Sequence, residues 1–120
     1  VSCGISSAST RNPPPLGQIE LANARNVVTD DNGNIYVSNF DTLGVVPHND
    51  KLRLYPFKLD TLSRLCYVNG SLIFGSSNRM YRLFVENEEL IEINLENINN
   101  MVNINSIVYH DKMLYFSHDN

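Results

Sequence analysis

The sequence predicts an all-β fold of β-propeller-like, four-stranded antiparallel blades, and three observations lead there. Short runs of strand-forming residues alternate with turns bearing glycine, asparagine or aspartate. One pattern, a polar turn followed by a strand with a serine-containing end, occurs as GNIYVSNF from Gly33, VNGSLIFGSS from Val68 and YHDKMLYFSHD from Tyr109. Its equivalent apolar residues Ile35, Leu72 and Leu114 recur at steps of about 40 residues, the spacing at which propeller blades repeat. A single blade cannot cover both of its apolar faces, so each needs a neighbour on either side. Some 2.5 blades do not close a ring of four to eight, so the expectation is a fragment, or one part of an oligomeric ring that another chain or further copies complete. A self-contained β-sandwich is the alternative architecture.

Residues 1–17, VSCGISSASTRNPPPLG, read as an extended Ser/Pro-rich arm in which Pro13 to Pro15 favour polyproline II and no independent fold is expected. Residues 18–120 read as a single β domain. The first blade spans about 26–58: Val27-Val28, a turn over Asp30 to Asn34 in which Gly33 accepts positive φ, Ile35 to Val37, Leu43 to Val46, a turn at His48 to Asp50, and Leu52 to Tyr55. A second blade spans about 63–97: Leu65 to Val68, the Asn69-Gly70 turn, Leu72 to Phe74, Met80 to Val85, a turn at Glu86 to Glu88, and Leu90 to Leu95. Ile91, Leu95, Ile98 and Val102 also fall on one helical face, but β-branched residues and asparagines are poor helix formers and no cap precedes them. The third blade spans about 103–120, with Ile107 to Tyr109, a turn at His110 to Lys112, and Met113 to Phe116.

Composition narrows the function classes. The 120 residues are 42% hydrophobic and 18% charged, the values of a chain that packs a core. A net charge of −4 without a basic run argues against a nucleic-acid partner, which needs cations for its phosphates. No apolar stretch is long enough for a membrane-spanning helix. The opening VSCGISS, without an initiator methionine, fits a chain boundary or a mature secreted chain. Cys3 and Cys66 then suggest one disulfide closing a long loop; two reduced thiols are the other reading. Asn69-Gly70-Ser71 is both an N-glycosylation acceptor, which favours a secreted, extracellular protein, and a favoured hairpin turn.

In a propeller, the loops between second and third strands share one end of the channel with the connections between blades. That gathers Ser38, Asn39 and Asp41, Ser76, Ser77 and Asn78, and Ser117, His118 and Asp119 on a rim, joined by Arg25, Asn26, Ser63, Arg64, Asn103 and Asn105. The ligand-binding candidates are Arg25, Asn39, Asp41, Arg64, Ser77, Asn78, Asn105, His118 and Asp119, a ring of donors and acceptors with arginines suited to a carboxylate. The competing reading is that these residues only end strands and cap turns. Catalytic residues are not expected: no nucleophile elbow, Walker loop or dinucleotide fingerprint occurs, and neither cysteine has a His or basic neighbour to activate it. The histidines lack metal spacing, and the DDNGN turn lacks the final glutamate of a calcium loop. The tyrosines along the strands read as packing.

VVTDDNGNIYVSNF, followed at blade spacing by LCYVNGSLIFGSSNRMYRL and SIVYHDKMLYFSHD, resembles the repeats of the insect ommochrome-binding-protein-like propellers over about residues 25–119. That resemblance implies a secreted carrier of a small aromatic, pigment-like ligand, with the pigment chromophore as the only cofactor. The same pattern is shared with NHL-repeat and lactonase-like propellers. The latter implies an alternative, a metal-dependent lactonase-like hydrolase in which Asn39, Asn105 and Asp119 supply oxygens, although no glutamate falls on an inner strand and Ca²⁺ is not expected. A protein-interaction propeller is the third reading.

Overall fold

A computed structural model describes residues 2–4, 20–95 and 103–119. The fold is all-β, and its sheets are antiparallel. β1 (Ser2–Gly4) pairs with β2 (Glu20–Ala22). β3 (Asn26–Thr29), β4 (Ile35–Ser38), β5 (Leu43–Val46) and β6 (Arg53–Leu54) form sheet I, each strand bonded to the next in chain order. β7 (Cys66–Val68), β8 (Ser71–Ser76), β9 (Arg79–Phe84) and β10 (Glu89–Ile93) repeat that plan as sheet II. β11 (Ile104–His110) and β12 (Met113–His118) make the two-stranded sheet III.

Local chemistry sets the hairpins. Asn69 and Gly70 both hold positive φ, +44° and +81°, the two left-handed residues that a type I′ turn needs between Val68 and Ser71. At the first hairpin Gly33 has φ +85°, and Asp30 organises the turn by accepting hydrogen bonds from the backbone of Asn32 and Asn34.

The strand period of two then divides the core. Tyr36, Leu43, Val45 and Tyr55 of sheet I meet Leu72, Phe74 and Leu83 of sheet II, with Leu62 and Leu65 of the connecting segment between them. On the other face of sheet II, Val68, Ile73 and Met80 meet Ile104 and Ile107 of sheet III. Sheet II is therefore covered on both sides, and every residue of β8 is buried. Fully burying a side chain such as Leu72 or Phe74 contributes about 1.5–3 kcal/mol. The sheets II and III approach closely at Gly75, where an added Cβ would lie 2.5 Å from Cβ of Ile104.

Within the extended arm, Ser2–Gly4 pairs with Glu20–Ala22; Pro13 to Pro15 lie outside the described residues. Other expectations need correction. β6 is only Arg53–Leu54: Tyr55 still donates its N–H to Leu43 O at 2.9 Å, but Pro56 has no N–H to continue the ladder. β11 begins at Ile104, earlier than expected, because Ile104 bonds to Ser77 O and fills the space over Gly75. Of the possible helix over 91–102, Ile91 to Ile93 belong to a strand, and 96–102 lie outside the described residues. Cys66 carries a free thiol packed beside the sheet II–III core, so its bond to Cys3 is not formed here; the side chain of Cys3 lies outside the described residues.

Candidate functional site

The residues expected on the rim do lie near the inter-sheet connections. Leu62 N–H bonds to Phe40 O, Ser77 N–H to Thr61 O and Ile104 N–H to Ser77 O, so the β4–β5 and β8–β9 turns touch the segments that link the sheets. Their side chains, however, are used locally. Asn39 Oδ1 accepts from the N–H groups of Asp41 and Thr42, while its amide donates to Ala22 O. Asp41 accepts from the Thr42 hydroxyl. Ser76 Oγ both donates to Asp60 O and accepts from Asp60 N–H, and Ser63 Oγ accepts from Gly75 N–H. Asn105 donates to Asp119 at 2.9 Å, and the His118 ring meets Asp119 O at 3.0 Å. Arg25 and Arg64 anchor through their backbone N–H groups, to Ser38 O and Asn105 O, and both are exposed; Asn78 is exposed in its turn. Asn26 reaches from sheet I to Ser38 Oγ and to Ser63 O of the next connection. The turns at this end are thus bonded within the chain and stitched to one another, while Arg25, Arg64 and Asn78 stand exposed.

A cavity of about 510 Å³ opens at the opposite, hairpin end, between sheets I and II. Its sheet I wall carries Asp30, Asn32 and Asn34 of the first turn, then Tyr36, Val45, Arg53 and Tyr55. The sheet II wall carries Tyr67, Gly70, Val85 and Glu86. Strand alternation places the tyrosines here: Tyr36 stands in register with Val45 and so shares the face that looks at sheet II, where its ring stacks on that of Tyr67 with centroids 6.1 Å apart. Tyr55 stacks on Phe57 at 5.5 Å.

The polar groups of this cleft are coupled. Asp30 Oδ2 accepts from the Asn34 amide at 2.8 Å and the Tyr36 hydroxyl at 2.9 Å, while its other oxygen holds the turn backbone. Burial acts to raise the Asp30 carboxyl, but these hydrogen bonds from Asn34, Tyr36 and Asn32 outweigh it, and the group is held below its ordinary pKa. Tyr36 is pushed well above the ordinary tyrosine value by burial and by bonding to that carboxylate. Tyr55 is raised to about 12, by burial and then by Glu88. Arg53 spans the cleft mouth to Glu88 of sheet II at 2.7 Å, with its guanidinium 5.5 Å from the Tyr55 ring centroid.

The sequence reading treats Tyr36 and Tyr67 as packing and Asp30 to Asn34 as a turn; both hold, and with Tyr55 they also make the cavity wall. A signal was present in Arg53 and Tyr55, which alternate onto one face of β6 and its extension. Among the described residues no group of three or more His, Cys, Asp or Glu could hold a metal ion. Comparison of the chain with protein-family models, with curated proteins and with solved structures gives no match.

Proposed function

We propose that the chain is a run of β-propeller blades whose function is the non-catalytic binding of a small aromatic molecule, held in the cleft between sheets I and II. The observation that carries this reading is the tyrosine-lined cavity, whose 510 Å³ falls in the range of small-ligand sites and whose Asp30, Asn34, Tyr36 and Arg53 side chains are held in place by hydrogen bonds. The rim is the lesser candidate, since Asn39, Asp41, Asn105 and Asp119 already spend side-chain groups on hydrogen bonds within the chain. The blade reading is supported by two successive four-stranded meanders of the same order and by a middle sheet with a separate core on each face, which a two-layer sandwich does not have. A secreted location is supported by Asn69, exposed in its turn and followed by Gly70-Ser71. The test is ligand-observed NMR with a panel of small aromatic compounds. Binding is expected, and Tyr67→Ala, which opens one wall of the cleft, should remove it while circular dichroism still reports the β fold. Hits that survive in Tyr67→Ala, or a panel without hits, sink the proposal.

A second reading, a protein-interaction module, is favoured by one observation: the outer face of sheet III leaves Val108, Met113 and Tyr115 more than half exposed side by side.

A further inference from the structure

We infer that the ligand of the cleft is an organic cation, an ammonium-bearing aromatic molecule; this rests on the reading of the cleft as the binding place. The charges on the wall decide it. Asp30 and Glu86 are negative and Arg53 is positive, but Arg53 is already matched by Glu88 at 2.7 Å. Two carboxylates are left facing the space without a basic partner on the wall. An anion entering here meets both of them, and the charge of Arg53, the one cation of the wall among the described residues, is already paired with Glu88. A neutral ring gains only stacking. A cation gains the field of both carboxylates and the negative face of Tyr67, the half-buried ring of the three, while Tyr36, stacked on Tyr67, and Tyr55, between Phe57 and Arg53, are buried behind it. Arg53 shows that a cation fits over such a ring in this wall, since its guanidinium lies 5.5 Å from the Tyr55 centroid. Asp30 contributes through its field rather than by direct contact, because Asn32, Asn34 and Tyr36 already occupy both of its oxygens.

The experiment is calorimetric titration of the whole chain with three probes that share a benzyl group: benzyltrimethylammonium, benzyl alcohol and phenylacetate. Benzyltrimethylammonium should bind at least about tenfold more tightly than the other two, the size of a cation–π contribution in a partly dry site. Glu86→Gln, at an exposed position where folding is not at stake, should weaken the cation by about two- to fivefold, and the loss should shrink as salt is added. Tyr67→Leu should weaken it further. Arg53→Gln should do the reverse and tighten cation binding, a gain that misfolding does not produce. Benzyl alcohol or phenylacetate binding as tightly as the cation, and lost in Tyr67→Leu, overturns the charge assignment and leaves the cleft as the binding place. Cation binding that ignores Glu86→Gln, Tyr67→Leu and Arg53→Gln overturns the assignment of this site. If no probe binds, the cleft reading fails along with the inference.

Discussion

Asp30 ties backbone, side chain and pH response together at a single position. Its two oxygens accept from Asn32 N–H, Asn34 N–H, the Asn34 amide and the Tyr36 hydroxyl. The carboxyl is lowered in the folded chain, so it adds stability above its unfolded value near 3.8, and that share is lost as the pH falls through the folded value. Asp30→Asn is expected to destabilise by about 1–3 kcal/mol at neutral pH, because an amide cannot accept all four bonds. Its melting temperature should also fall less steeply than that of the parent below pH 4; parallel acid curves would show that Asp30 carries no linked stability. The tyrosines respond in the opposite direction. Tyr36 and Tyr55 are raised when folded, so their contribution is complete below the ordinary tyrosine value of 10.0 and is lost as the pH rises, for Tyr55 through about 12. Tyr55→Phe should therefore flatten alkaline unfolding between pH 10 and 12, read by circular dichroism. The Arg53–Glu88 pair is half exposed, and its removal should cost no more than about 1 kcal/mol.

The strands β8 and β11 depend on close backbone approach. Gly75 has ordinary strand φ, so its reason for being glycine is Ile104, not a left-handed turn. Gly75→Ala should destabilise by about 1–3 kcal/mol through overpacking, and in a double-mutant cycle Ile104→Ala, which removes the Cγ2 that would lie 2.7 Å from the added methyl, should show favourable coupling with it; no coupling would dissociate the two residues. Gly70 is the contrasting case, with open space where a Cβ would stand but φ at +81°, so there alanine strains the backbone alone. On the neighbouring strand, burial first, against a hydrogen bond from Tyr109 N–H, raises the Cys66 thiol. Iodoacetamide should label Cys66 more slowly in the folded chain than in denaturant; equal rates would mean that sheet III does not cover it.

At the scale of the molecule, the outer face of sheet III is the open question of packing. Val108, Tyr115 and Met113 line up across the β11–β12 ladder without a layer over them among the described residues. Sheet II shows what a face of this kind gains from a neighbour, since both of its own faces are packed. Val108→Lys with Tyr115→Lys is expected to leave the melting temperature nearly unchanged while lowering any tendency to associate, measured by light scattering across concentrations. If the parent and the variant have the same mass throughout, this face does not mediate self-association.

Much of the architecture was legible because strand alternation and turn chemistry are local. Asn69-Gly70 can form its turn wherever it sits, and Leu72 and Phe74 must face one side of a strand and Ile73 the other whatever lies beyond. Those rules also outlined the sheet I and sheet II hairpins, and the clustering of polar residues near the connections. They left undecided what each face would meet. That Gly75 admits Ile104, that Asn39 spends its amide on Ala22, and that Tyr36 of β4 stacks on Tyr67 of β7 are long-range contacts with no sequence period of their own. Local pattern is enough to specify an all-β chain of repeated antiparallel meanders. That the polar turns near the connections bond to one another, and that the space opens at the other end, come from packing, because a cavity is the gap between two packed surfaces and neither surface encodes it alone.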